Sequence, residues 1–107
     1  MLKPTDLHDE TNLTAPFEAE ARLFWLLGDK MRLQIVHLLL QHPGQLCVAG
    51  LASALGTIEQ PTVSYHLSLL YAGGVVYLAR EEGRYKYYRI KPHTLDKIRS
   101  ILGQLGQ

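Results

Sequence analysis

At 107 residues the chain has room for one domain with a modest core, and its high surface-to-volume ratio leaves apolar surface for a partner to cover. A net charge of +1 argues neither for nor against a polyanionic partner, but the charge is uneven. Arg80, Arg84, Lys86, Arg89, Lys91, Lys97 and Arg99 crowd the last third, while Asp6, Asp9, Glu10, Glu18 and Glu20 crowd the first. The single cysteine, Cys47, excludes an intrachain disulfide. The polar, acidic N-terminus lacks a secretion pattern, and no apolar run is long enough to span a bilayer, so a soluble cytoplasmic protein without a membrane partner is expected.

Residues 1–14 show little periodicity and read as a flexible N-terminal arm, leaving residues 15–107 as the folded domain. Thr14 is placed to cap a first helix from about Pro16 to Leu27, whose stripe is Phe17, Ala21, Phe24 and Leu27, widened by Trp25 and Leu26. Gly28 breaks it and Asp29 caps a second helix to about Gln41. Leu33, Val36 and Leu40 together with Ile35, Leu38 and Leu39 make that helix apolar on most sides, so it is expected at the centre. His42-Pro43-Gly44 is a stop. A short third helix carries Val48, Leu51, Ala52 and Leu55, with Gly56 at the position of a C-terminal cap. After a turn at Thr57–Glu59, a fourth helix starts at Gln60 or Pro61 and ends at Gly73-Gly74.

The period then changes from 3.6 to 2. Val75–Arg80 reads as a strand, Glu81–Gly83 as a turn and Arg84–Ile90 as the returning strand. A last helix from His93 to about Leu105 bears the stripe Leu95, Ile98, Leu102 and Leu105. The fold class is therefore mainly α with a small β-hairpin, in the order α-α-α-α-β-β-α.

The fourth helix has two unlike faces. Val63, Leu67 and Leu70 line a core, whereas Ser64, Tyr65 and Ser68, with Thr62 at the flank, form a small polar face without charge. A face that is only solvated usually carries Lys and Glu. Hydroxyls near a helix start suit base edges and phosphates. A hydroxyl-rich face alone is ordinary surface, and a basic hairpin alone is a guarded edge. Two short helices followed by a basic ribbon form a winged helix-turn-helix, in which one helix enters the major groove and the preceding one braces it. The DNA-contacting set expected is Gln60, Thr62, Ser64, Tyr65, His66 and Ser68 from the helix, with Arg80, Arg84 and Lys86 from the ribbon tip. His66 lies between the faces and suits either phosphate contact or a half-buried structural place.

Residues 27–36 (Leu-Gly-Asp-Lys-Met-Arg-Leu-Gln-Ile-Val), 45–51 (Gln-Leu-Cys-Val-Ala-Gly-Leu), 60–67 (Gln-Pro-Thr-Val-Ser-Tyr-His-Leu) and 83–89 (Gly-Arg-Tyr-Lys-Tyr-Tyr-Arg) together resemble the ArsR/SmtB family. The resemblance runs over roughly residues 17–105. It implies a homodimeric repressor whose first and last helices form the dimer, whose recognition helix reads a palindromic operator in double-stranded DNA, and which an inducer releases. Phe17, Phe24, Trp25, Leu95, Ile98, Leu102 and Leu105 are the expected dimer contacts. They are more apolar surface than so small a core hides.

Metal-sensing relatives carry Cys-Val-Cys or Cys-Val-x-Asp in the third helix. Here Cys47-Val48-Ala49-Gly50 keeps only the first ligand, and the last helix keeps only His93 of its family's ligand pattern. A three-thiolate arsenic site within this chain is excluded. Cys47 with His8, Asp9 or Glu10 of a partner's arm would give a mixed donor set for a divalent transition metal such as zinc or nickel. The alternatives are a buried inert thiol, a thiol switch or a non-metal signal. No nucleophile–base set, carboxylate pair or phosphate-binding glycine loop points to an enzyme. A winged-helix protein–protein adaptor without DNA binding is the competing function, and it has no need of both the hydroxyl face and the cationic wing.

Overall fold

The computed structural model describes residues 16–56 and 59–107. The N-terminal arm, with His8, Asp9, Glu10 and the capping role of Thr14, lies outside the described residues. Among the described residues, five helices and one hairpin follow in order: α1 Pro16–Leu27, α2 Lys30–Gln41, α3 Val48–Ala54, α4 Gln60–Ala72, β1 Val76–Glu82, β2 Tyr85–Ile90 and α5 Thr94–Leu105.

Local sequence explains most of these boundaries. Asp29 adopts extended backbone and its carboxylate accepts from Arg32 N at 3.1 Å, so α2 begins with a side-chain cap. Gly56, at φ 91°, follows α3 in a conformation that L side chains avoid. Gly74, at φ 77°, turns the chain out of α4, and Val75 N donates back to Leu70 O at 2.9 Å.

α2 sits against α1, α3, α4 and β2 and is the centre of the molecule. Its buried line is Arg32, Ile35, Val36 and Leu39, one residue in every three or four. Leu33 and Leu40, expected inside, are exposed. The helix is thus apolar more widely than its core contact requires, and the true line includes a cation. Leu51, Val63, Leu67, Leu70, Val75 and Val76 complete the core from α3, α4 and β1.

The terminal helices divide their apolar residues between two sides. α1 turns Leu23 and Leu26 inward and leaves Phe17, Phe24 and Trp25 exposed, Trp25 at 61%. α5 buries Thr94 and Ile101, half-buries Ile98 and exposes Leu95, Leu102 and Leu105. Each helix therefore has two apolar sides, one spent on its own chain and one left open.

The ribbon is antiparallel, and its turn is tighter and further along the chain than expected. Pairing continues to Glu82↔Tyr85, so Glu81 and Glu82 belong to β1 and the turn is only Gly83-Arg84, with Gly83 at φ 61°. A bulge at Ala79 shifts the register between Leu78↔Tyr88 and Arg80↔Tyr87.

Candidate nucleic-acid interface

The exposed face of α4 carries Gln60, Thr62, Ser64, Tyr65 and Ser68, because Val63, Leu67 and Leu70 are fixed in the core. Ser68 spends its proton on the carbonyl of Tyr65 at 2.7 Å, which leaves its oxygen as an acceptor. The start of α4 offers fewer backbone donors than an ordinary helix. Pro61 has no N–H, and that of Thr62 already donates to the carbonyl of Glu59. The exposed N-cap residue Glu59 also brings a carboxylate to that end. Phosphate attraction therefore falls to side chains more than to the helix terminus.

Those side chains border a groove of about 630 Å³ between the helix pair and the ribbon. Gln60 and Ser64 come from α4, Cys47 and Val48 from the start of α3, and Arg84 and Lys86 from the ribbon. Arg84 stacks on Tyr85 at 5.5 Å, which steers its guanidinium while leaving its donors available. Tyr71 and Tyr88 meet edge to face at 6.2 Å and tie α4 to the ribbon.

Two expected contact residues sit differently. Arg80 donates to Glu82 and to the carbonyl of Gly44, and lies 3.9 Å from the Tyr87 ring centroid. The bulge at Ala79 is what sets Arg80 opposite Tyr87. Its guanidinium thus braces the ribbon against the loop after α2. Glu81 and Glu82 further offset the positive charge of this end, leaving Arg84 and Lys86 as its outward cations.

His66 is the other. Its side chain is 15% exposed, and Nδ1 lies 3.1 Å from Arg32 Nη1 and 3.8 Å from Asp29 Oδ2. A guanidinium only donates, so Nδ1 accepts and the ring proton sits on Nε2. The half-buried structural place is the one the geometry supports. Arg32 itself was assigned no role from sequence. It donates through Nε to Leu26 O at 2.6 Å and through Nη2 to Trp25 O at 3.4 Å, satisfying carbonyls at the end of α1. A charge repeating at the spacing of Ile35, Val36 and Leu39 was the available signal.

Cys47 is the half-buried N-cap residue of α3, with no side-chain cap bond. Among the described residues, no group of three or more His, Cys, Asp or Glu converges to hold a metal ion. Likewise, no described helix is long and apolar enough to cross a membrane.

Residues 29–77, from the cap of α2 to the start of the ribbon, match the family described as bacterial regulatory protein, arsR family. The chain is 46% identical over 72 residues to the arsenical resistance operon repressor of Escherichia coli K12, a match covering 67% of this chain and 59% of that protein. It thus spans less than two thirds of that relative. With an HTH-type transcriptional regulator of Methanocaldococcus jannaschii it shares 35% identity over 89 residues, covering 83% of this chain and 97% of the other. Among solved structures, a homodimeric winged helix-turn-helix DNA-binding domain from Mycobacterium bovis superimposes with a TM-score of 0.67 at 32% identity. That superposition covers 87% of this chain and 82% of the other.

Proposed function

The chain belongs to the arsR family of bacterial regulatory proteins, and from that premise we propose that it is a homodimeric transcriptional repressor that grips a two-fold-symmetric operator through α4 and the wing. The observation that carries this is the uncharged hydroxyl face of α4, open beside a groove edged by Arg84 and Lys86. The face reads bases and the cations hold phosphates. The E. coli relative is named as an operon repressor, and the M. bovis neighbour as a homodimeric DNA-binding domain. The family is one of transcriptional regulators rather than enzymes. A cytoplasmic site of action follows from an operator as partner. Neither relatives nor interface favour the protein–protein adaptor.

The test is binding to the DNA upstream of the protein's own gene, read by fluorescence anisotropy over a salt series. Binding should weaken steeply as salt rises. Ser64→Glu and Arg84→Glu should each raise Kd by roughly tenfold or more, a loss of one good base or phosphate contact plus repulsion. If both variants remain dimers and bind like wild type, this face does not touch DNA.

For the signal that releases DNA, a thiophilic or divalent metal ion such as zinc or nickel draws support from the naming of the E. coli relative for arsenical resistance. Cys47 would be the ligand from the described residues, with His8, Asp9 or Glu10 of a partner's arm supplying the rest. Weakening of operator binding by zinc or nickel in wild type but not in Cys47→Ser checks it. A response to metal that survives Cys47→Ser removes this reading.

A further inference from the structure

A second concavity, of about 290 Å³, lies on the side of the molecule formed by α1, the end of α4 and the start of α5. Its floor is apolar, made by Ala19, Leu23, Leu26 and Val75. Its rim is basic. Arg22 comes from α1, Lys91 and His93 from the link after β2, and Lys97 from α5. No acidic side chain lines it, and among the described residues none of Arg22, Lys91 and Lys97 forms an ion pair.

The arrangement is specific in two ways. Lys91 is held at the end of α4, its Nζ 3.9 Å from where a Cβ on Gly74 would stand, so it offsets the carbonyl end of that helix. The remaining cations come from different elements that the fold brings to one opening, where their mutual repulsion favours an anion. The first turn of α5, through Thr94 and Lys97, borders the same opening and adds the positive end of its dipole.

We propose that this cleft binds a small organic acid, a carboxylate on an apolar tail. The tail would cover Leu23, Leu26 and Val75, and the carboxylate would meet Arg22 and Lys97. The volume lies at the lower end of the range for small-molecule sites, which suits a short ligand. Bound there, it bridges α1 and α5 across the end of α4.

Titration of the DNA-free protein with sodium hexanoate, followed by ¹⁵N–¹H correlation spectra, tests the proposal without relying on operator binding. Saturable shifts are expected at the amides of Gly73, Gly74, Val75 and Lys97. Hexanamide, uncharged and of the same shape, should give much smaller ones. The double variant Arg22→Glu, Lys97→Glu replaces exposed side chains, so its native spectrum should persist while the Kd for hexanoate rises roughly tenfold or more. Equal response to acid and amide, shifts that map elsewhere, or a Kd unchanged by the charge reversal would overturn the proposal.

Discussion

A guanidinium only 7% exposed needs acceptors for its donors, and Arg32 finds them in two other helices: the last carbonyls of α1 and Nδ1 of His66 on α4. Its carbon lies 4.9 Å from the Trp25 ring centroid, so the residue also props an exposed aromatic of α1. Removing one partner of such a group costs more than the bond is worth, because the other is left buried and unpaired. His66→Ala should therefore lower the unfolding free energy by about 1–3 kcal/mol, whereas His66→Gln, which offers an oxygen in a similar place, should recover part of that loss. Urea denaturation at fixed protein concentration measures both, and equal midpoints for the two variants would contradict the acceptor role. Asp29 shares this cluster. The Arg32 backbone N–H above all, helped by the Arg32 guanidinium and the Met31 backbone N–H, holds its carboxyl below the usual carboxylate range against the opposing effect of burial. A folded pKa below the unfolded one means the ionised group stabilises the fold above the ordinary carboxylate pKa, and that contribution fades as pH falls through the lowered value. Asp29→Asn keeps a capping oxygen but cannot ionise. The stability of this variant should fall less between pH 7 and pH 3 than that of the wild type, as read from paired urea midpoints.

The elements hold one another at a few tight joints. At the joint of α1 with the end of α4, a methyl on Gly73 would collide with the end of the buried Leu26 side chain, which would have to leave its place over the core and move toward the cleft beside it. Gly73→Ala should cost about 1–3 kcal/mol through this overpacking, although alanine is the better helix former, and thermal unfolding would show it. The joint is invisible in sequence, where Gly73-Gly74 reads only as a helix stop. The elements themselves were legible, since a 3.6 period, with Asp29, Gly56 and Pro61 as punctuation, marks each described helix, and the change of period marks the ribbon. What sequence hid depends on partners far along the chain. Arg80 reads as a free cation until the bulge at Ala79 sets it against Tyr87 and Gly44. Likewise Pro61 announces one missing donor at the start of α4, but the turning of Thr62 N–H onto Glu59 O shows only in the fold. On α1 and α5 an apolar side facing the chain's own core and one left open obey the same periodicity, so the inward Leu23 and Ile101 do not stand out in the sequence.

Those open sides bear on the whole molecule. Phe17, Phe24 and Trp25 on α1 and Leu95, Leu102 and Leu105 on α5 are large apolar side chains left in water by a single chain. Fully burying one such side chain is worth about 1.5–3 kcal/mol, and covering the exposed part of all six by a second copy is the association that the proposed repressor requires. The same pairing would set two α4 helices about one DNA turn apart, where a two-fold operator needs them. Trp25→Glu and Leu102→Glu each place a charge on this surface without touching the residues that α1 and α5 give to the core, which are Leu23, Leu26, Thr94 and Ile101. Both variants should stay folded by circular dichroism and sediment as monomers. Their operator Kd should rise by roughly a hundredfold, because the second half-site is then no longer engaged at high effective concentration. A variant that sediments as a dimer and binds the operator unchanged would show that α1 and α5 do not form the interface, and would move the search to the exposed Leu33 and Leu40 of α2.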